Sequence, residues 1–77
     1  MSIMSITRQA LDVLQFHQTT PELLLSVMVH NPNKVITYHD ENNHAWQFIA
    51  RRRCRLFLLA KAPETGKYED IYCSARL

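Results

Sequence analysis

Apolar residues return every three or four positions through the first fifteen or so residues of the chain, and every second position through much of its latter half. Ile6, Ala10, Leu14 and His17 follow one helical face, Leu11, Val13 and Phe16 broaden it, and Gln9, Asp12 and Gln15 fall on the wet side. Ser5 or Thr7 can cap such a helix, so the pattern predicts one over residues 6–17. Thr20-Pro21-Glu22 announces a second helix: Thr20 as N-cap, Pro21 at the first helical position, and Glu22 beside the positive end of the dipole. That helix is expected over 21–30, stopped by Asn31-Pro32. Its stretch Leu23 to Val29 is apolar almost all round, which a surface helix is not. Either the rest of the domain covers both sides or a second chain covers one, and Leu24, Leu25 and Met28 are the candidate association residues.

From Lys34 onward the period shortens to two. Strands are expected over 34–39, 45–60 and 68–76, giving an α+β domain of two N-terminal helices packed on a three-stranded antiparallel meander, one domain over 1–77. Asp40-Glu41-Asn42-Asn43 turns the chain, because Asn tolerates the left-handed backbone a hairpin needs. A three-residue loop there pairs Tyr38 with Trp46 and Ile36 with Phe48. The long middle strand presents Trp46, Phe48, Ala50, Arg52, Cys54, Leu56 and Leu58 on its inner face. Three consecutive arginines make a poor core strand, so a bulge that frees Arg52 is expected. Pro63 and Gly66 mark the last turn, and setting Ala62 opposite Lys67 pairs Leu58 with Ile71, Leu56 with Cys73 and Cys54 with Ala75. The outer face then pairs Phe57 with Tyr72, Arg55 with Ser74 and Arg53 with Arg76.

Charge sharpens this picture. The net charge is only +2, yet five basic groups and no acidic ones lie between Ala45 and Ala62. One surface is therefore cationic on a nearly neutral chain, which steers an acidic partner without calling for nucleic acid. Arg51, Arg53 and Arg55, with Phe57, Tyr72 and Arg76, form the candidate partner-binding face. Arginine and tyrosine are favoured anchors in protein interfaces. The same combination holds single-stranded nucleic acid, phosphates on guanidinium groups and bases on rings, which is the alternative reading. A strongly basic domain, usual for phosphate-driven binding, is missing.

Other chemistry finds little support. With one glycine there is no glycine-rich phosphate loop. Eighteen residues lie between Cys54 and Cys73 in sequence, and no close Cys or His pair has the spacing of a structural zinc site. Both cysteines are expected in the core as free thiols, and His39 and His44 flank a turn, so no metal or cofactor is expected. No catalytic residue is assigned. Nothing resembles a signal peptide, and no apolar run approaches the roughly 20 residues that span a bilayer, so a cytoplasmic protein off the membrane is expected.

In its second half, the cluster Arg51–Arg55 and the run Ile71-Tyr72-Cys73-Ser74-Ala75-Arg76 resemble in layout the small RelE-like toxins, which cut messenger RNA with basic groups on an antiparallel sheet. The resemblance is one of composition, and no catalytic residue is carried over from it. The first expectation is a small non-enzymatic regulator or inhibitor that binds another protein, of the kind carried by mobile elements or phages, through the arginine face or as a homodimer through helix 21–30.

Overall fold

The computed structural model describes residues 5–75. Two helices, α1 (Ile6–Phe16) and α2 (Pro21–Met28), precede four strands: β1 (Ile36–His39), β2 (Ala45–Arg52), β3 (Leu56–Lys61) and β4 (Tyr68–Cys73). The strands form one antiparallel sheet in the order β1-β2-β3-β4. The α+β class holds; the three-strand count does not, because the stretch expected as one strand over 45–60 is two strands joined by a hairpin.

Both helices start where their capping residues place them. The Ser5 hydroxyl accepts from the Arg8 amide at 3.2 Å, and the Thr20 hydroxyl accepts from the Leu23 amide at 3.1 Å. The helix–helix connection relies on Gln18 in the left-handed region, at φ 60°. His17 closes the other end of α1 onto the sheet. Its Nε2–H donates to the His39 carbonyl at 2.6 Å, and its ring stacks on Tyr38 at 4.6 Å. A carbonyl only accepts, so that nitrogen carries the proton.

The helices cover one face of the sheet, α2 over β2 and β3, α1 over β4 and reaching β1. The core between them is Ala10, Val13 and Leu14 of α1, Leu24, Leu25 and Met28 of α2, and the even-numbered positions of the central strands: Trp46, Phe48, Ala50, Leu56, Leu58, Ala60 and Ala62. Leu24, Leu25 and Met28 are thus interior residues, not an association surface. Helix α2 shows Leu23 and Val27 to solvent instead.

Strand register agrees with expectation at the first hairpin and departs from it at the third. Tyr38 lies opposite Trp46 and Ile36 opposite Phe48, as the alternation requires. Between β3 and β4 the pairs next to the turn keep the expected register, Lys61 with Tyr68 and Leu59 with Asp70, and Gly66 takes its positive φ of 76°. A register shift then sets in between Leu58 and Leu59, so that Leu58 faces Tyr72 and Phe57 faces Cys73. Ile71 is the extra residue and turns into the core, with Tyr72 packed beside it. The expected pairs Leu58–Ile71, Leu56–Cys73 and Phe57–Tyr72 are therefore not formed. Bulging keeps both Ile71 and Tyr72 on the helix side, and it twists an edge strand away from simple pairing with another sheet.

Among the described residues no second layer covers the outer face of the sheet. Ile49 and Leu59 sit on it as a direct cross-strand pair and are nonetheless buried. Their neighbours by register are Gln47, Arg51, Phe57 and Lys61.

Candidate functional site

The cationic feature of this chain is a hairpin tip. Arg52 pairs with Leu56, Arg51 with Phe57, and Arg53-Cys54-Arg55 makes the turn, closed by the Arg53 amide donating to the Arg55 carbonyl at 2.8 Å. All five residues from Arg51 to Arg55 are exposed. None has a positive φ, so the turn needs no glycine or asparagine. Arg52, read from the alternation as inward-facing, lies beyond the last core pair and reaches solvent. Cys54, expected in the core, is an exposed free thiol on the loop, and Cys73 is a half-buried free thiol on β4 opposite Phe57.

The four guanidinium groups are not equivalent. Arg53 folds back along the outer face, its guanidinium 4.3 Å from the centre of the Phe57 ring and its Nη2 donating to Asp70 Oδ1 at 2.8 Å. Both members of this pair are about half exposed, which limits its worth to roughly 0.2–1 kcal/mol. Arg51, Arg52 and Arg55 have no carboxylate partner among the described residues. Like charges this close repel one another, and an acidic partner relieves that repulsion.

Of the residues assigned to the binding face, Arg51, Arg53, Arg55 and Phe57 are brought together at the tip and its root. Tyr72 is not among them: the bulge at Ile71 turns it to the helix side. Arg76 lies outside the described residues. Arg52 and Cys54 join the tip instead. Chain length is the signal that places them there, because sixteen residues as one strand would extend about 50 Å, whereas the longest dimension of the fold is 37 Å. Three loop residues, an odd number, return the chain with the same face inward, so the alternation alone reads the same for one strand or two.

The opposite end of β2 carries a different site. Asp40 opens the β1–β2 loop and its carboxylate gathers donors. Oδ1 accepts from the amides of Asn42 and His44, each at 2.9 Å, and Oδ2 accepts from the Trp46 indole N–H at 3.1 Å. These bonds, that from the His44 amide foremost, hold the Asp40 carboxyl below the usual aspartate range. Asn43 supplies the left-handed residue of the loop, φ 67°. Between this loop and α1 runs an open groove of about 460 Å³. Asp12, Asp40 and Glu41 line it with Val13, Phe16 and Trp46, and two of these carboxylates have basic side chains beside them: Asp12 pairs with Arg8 at 3.3 Å, and His44 Nδ1 lies 3.6 Å from Asp40 Oδ2. The Asp40 carboxylate accepting from the amide two residues on is an Asx-turn, which Asp at the start of a turn favours.

Among the described residues no three His, Cys, Asp or Glu side chains stand close enough to hold a metal ion. No described helix is long and apolar enough to cross a membrane. No protein-family model, curated protein or solved structure matches the chain.

Proposed function

We propose that this chain is a small non-enzymatic regulatory or inhibitory protein that docks on an acidic protein surface through its arginine tip. The observation that carries this reading is the concentration of exposed guanidinium groups at one hairpin end, with Arg51, Arg52 and Arg55 lacking a carboxylate partner among the described residues. Arginine offers five donors in a rigid fork that matches a carboxylate bidentately, and hairpin tips enter clefts that flat sheet faces do not. A protein is favoured over a nucleic acid because the rings needed to stack bases are withheld. Phe57 lies beneath Arg53, and Tyr72 packs against the core.

The test is affinity capture from the native host with nuclease treatment, comparing the unaltered chain with an Arg52→Glu, Arg55→Glu variant. A co-purifying protein that survives nuclease and is lost with charge reversal supports the proposal. Capture of nucleic acid alone, or a protein retained equally by both chains, sinks it.

A further inference from the structure

The tip and the groove lie at opposite ends of the molecule. In an antiparallel meander successive hairpin loops alternate between the two ends of the sheet, so the β2–β3 tip and the β1–β2 loop are separated by the whole of β2. Eight residues of strand span about 26 Å. A stiff, centrally placed strand therefore prevents any copy from laying its own tip in its own groove.

The two features match in charge and in shape. The tip is convex and bears Arg51, Arg52 and Arg55, which have no carboxylate partners among the described residues. The groove is concave and carries three carboxylates, of which Asp12 is paired with Arg8 and Asp40 is engaged by its own loop, and Phe16, more than half exposed, lies beside it. Glu41 is exposed on its rim and has no cation partner among the described residues, so it is the carboxylate left for an incoming guanidinium. A guanidinium entering there meets a carboxylate and an aromatic ring together, the pairing arginine makes better than lysine.

We propose that the groove between α1 and the β1–β2 loop receives the arginine tip of a second copy of this chain. The proposal rests on the reading of the tip as a docking element, and supplies one acidic protein surface for it. Contact between a tip and a different patch is heterologous, so a pair joined this way still has one tip and one groove to offer to further copies.

Sedimentation of the purified chain over a range of concentrations tests this, with two variants: Arg55→Glu, which spoils the tip, and Glu41→Arg, which spoils the groove. Both positions are exposed, and unchanged melting temperatures verify the folds. At low salt the unaltered chain associates, and association weakens about tenfold or more near 0.5 M salt as exposed charges are screened. Each variant alone is monomeric. Mixing the two restores association, because the intact tip of Glu41→Arg fits the intact groove of Arg55→Glu. A chain that stays monomeric at low salt overturns the proposal, as does a variant that associates like the unaltered chain or a mixture that fails to recover. If self-association is absent while tip-dependent capture of another protein persists, this inference fails and the docking function stands. If charge reversal at the tip leaves capture unchanged, the docking function itself fails.

Discussion

Two hairpins share strand β2, and they are built on opposite principles. The β1–β2 loop is held by side chains. Asp40 bonds two amides and an indole, and Asn43 adopts the left-handed conformation that closes the turn. The β2–β3 loop has one backbone hydrogen bond across Arg53-Cys54-Arg55, and of its side chains Arg53 reaches out of the loop to the half-exposed Asp70 on β4. Its geometry is imposed by the strands that enter and leave it, whose inner faces, Phe48 and Ala50 against Leu58 and Ala60, are fully buried. A loop that secures itself spends its polar groups internally. One held by its strands leaves them free, which is what a docking element requires.

Replacing Asp40 with Ala should separate the hairpins most. It removes the acceptor of three donors, and leaving the nearly buried Trp46 indole unpaired costs about 1–3 kcal/mol by itself. The urea midpoint should fall more for Asp40→Ala than for alanine at any position from Arg51 to Arg55; an equal fall at the tip would erase the contrast. The loop also carries a pH signature. Folding lowers the pKa of Asp40, so its stabilisation is complete above the unfolded value and is lost as pH falls through the folded one, in the acid range below that of an ordinary aspartate. Titrating stability between neutral and strongly acidic pH should show a shallower acid slope in Asp40→Asn than in the unaltered chain.

Backbone conformation gives the next largest difference. Asn43 sits at φ 67°, where Ala is strained, so Asn43→Ala should cost about 1 kcal/mol and Asn43→Gly little or nothing. Cys54, the middle residue of the other loop, has no positive φ, and Cys54→Ala should move thermal stability by less than about 0.5 kcal/mol. Calorimetry of these three variants compares the loops with little change in charge.

The same contrast explains what was legible in the sequence. The capping residues Ser5 and Thr20, the turn residues Asn43 and Gly66, and the pairs Tyr38–Trp46 and Ile36–Phe48 were readable because each rests on local chemistry. The β2–β3 turn was not, because it contains no Gly, Pro, Asn or Asp, and its odd length preserves which residues face inward. The displacement of Tyr72 was hidden for a related reason. A bulge inserts one residue without altering composition, and only the packing of Ile71 into the core shows where it occurs. The over-apolar helix posed a third kind of problem: hydrophobicity all round says that more than one side is covered, but not which. The fold buries Leu24, Leu25 and Met28 and leaves Leu23 and Val27 outside.

Arg53 is the exception at the tip, since among the described residues it alone of the four arginines pairs with a carboxylate. A double-mutant cycle of Arg53→Ala and Asp70→Asn should give a coupling of about 0.2–1 kcal/mol that shrinks in high salt. A coupling of zero would make Arg53 as free as its neighbours and enlarge the docking surface by one guanidinium.

Smallest of all should be the effect on stability of neutralising the unpaired tip. Arg52→Gln with Arg55→Gln removes two exposed charges that contact no carboxylate among the described residues, so no ion pair among them is lost and some repulsion is relieved. Stability should stay within about 0.5 kcal/mol of the unaltered chain and, if anything, rise. Partner capture should collapse in the same variant. A residue kept for folding loses stability with function, whereas one kept for binding loses function alone, and sites of that second kind often cost the fold something to maintain. Thermal denaturation and capture measured on one preparation distinguish the two: a clear loss of stability would mean that the arginines support the hairpin, and the two hairpins of β2 would then differ in chemistry but not in purpose.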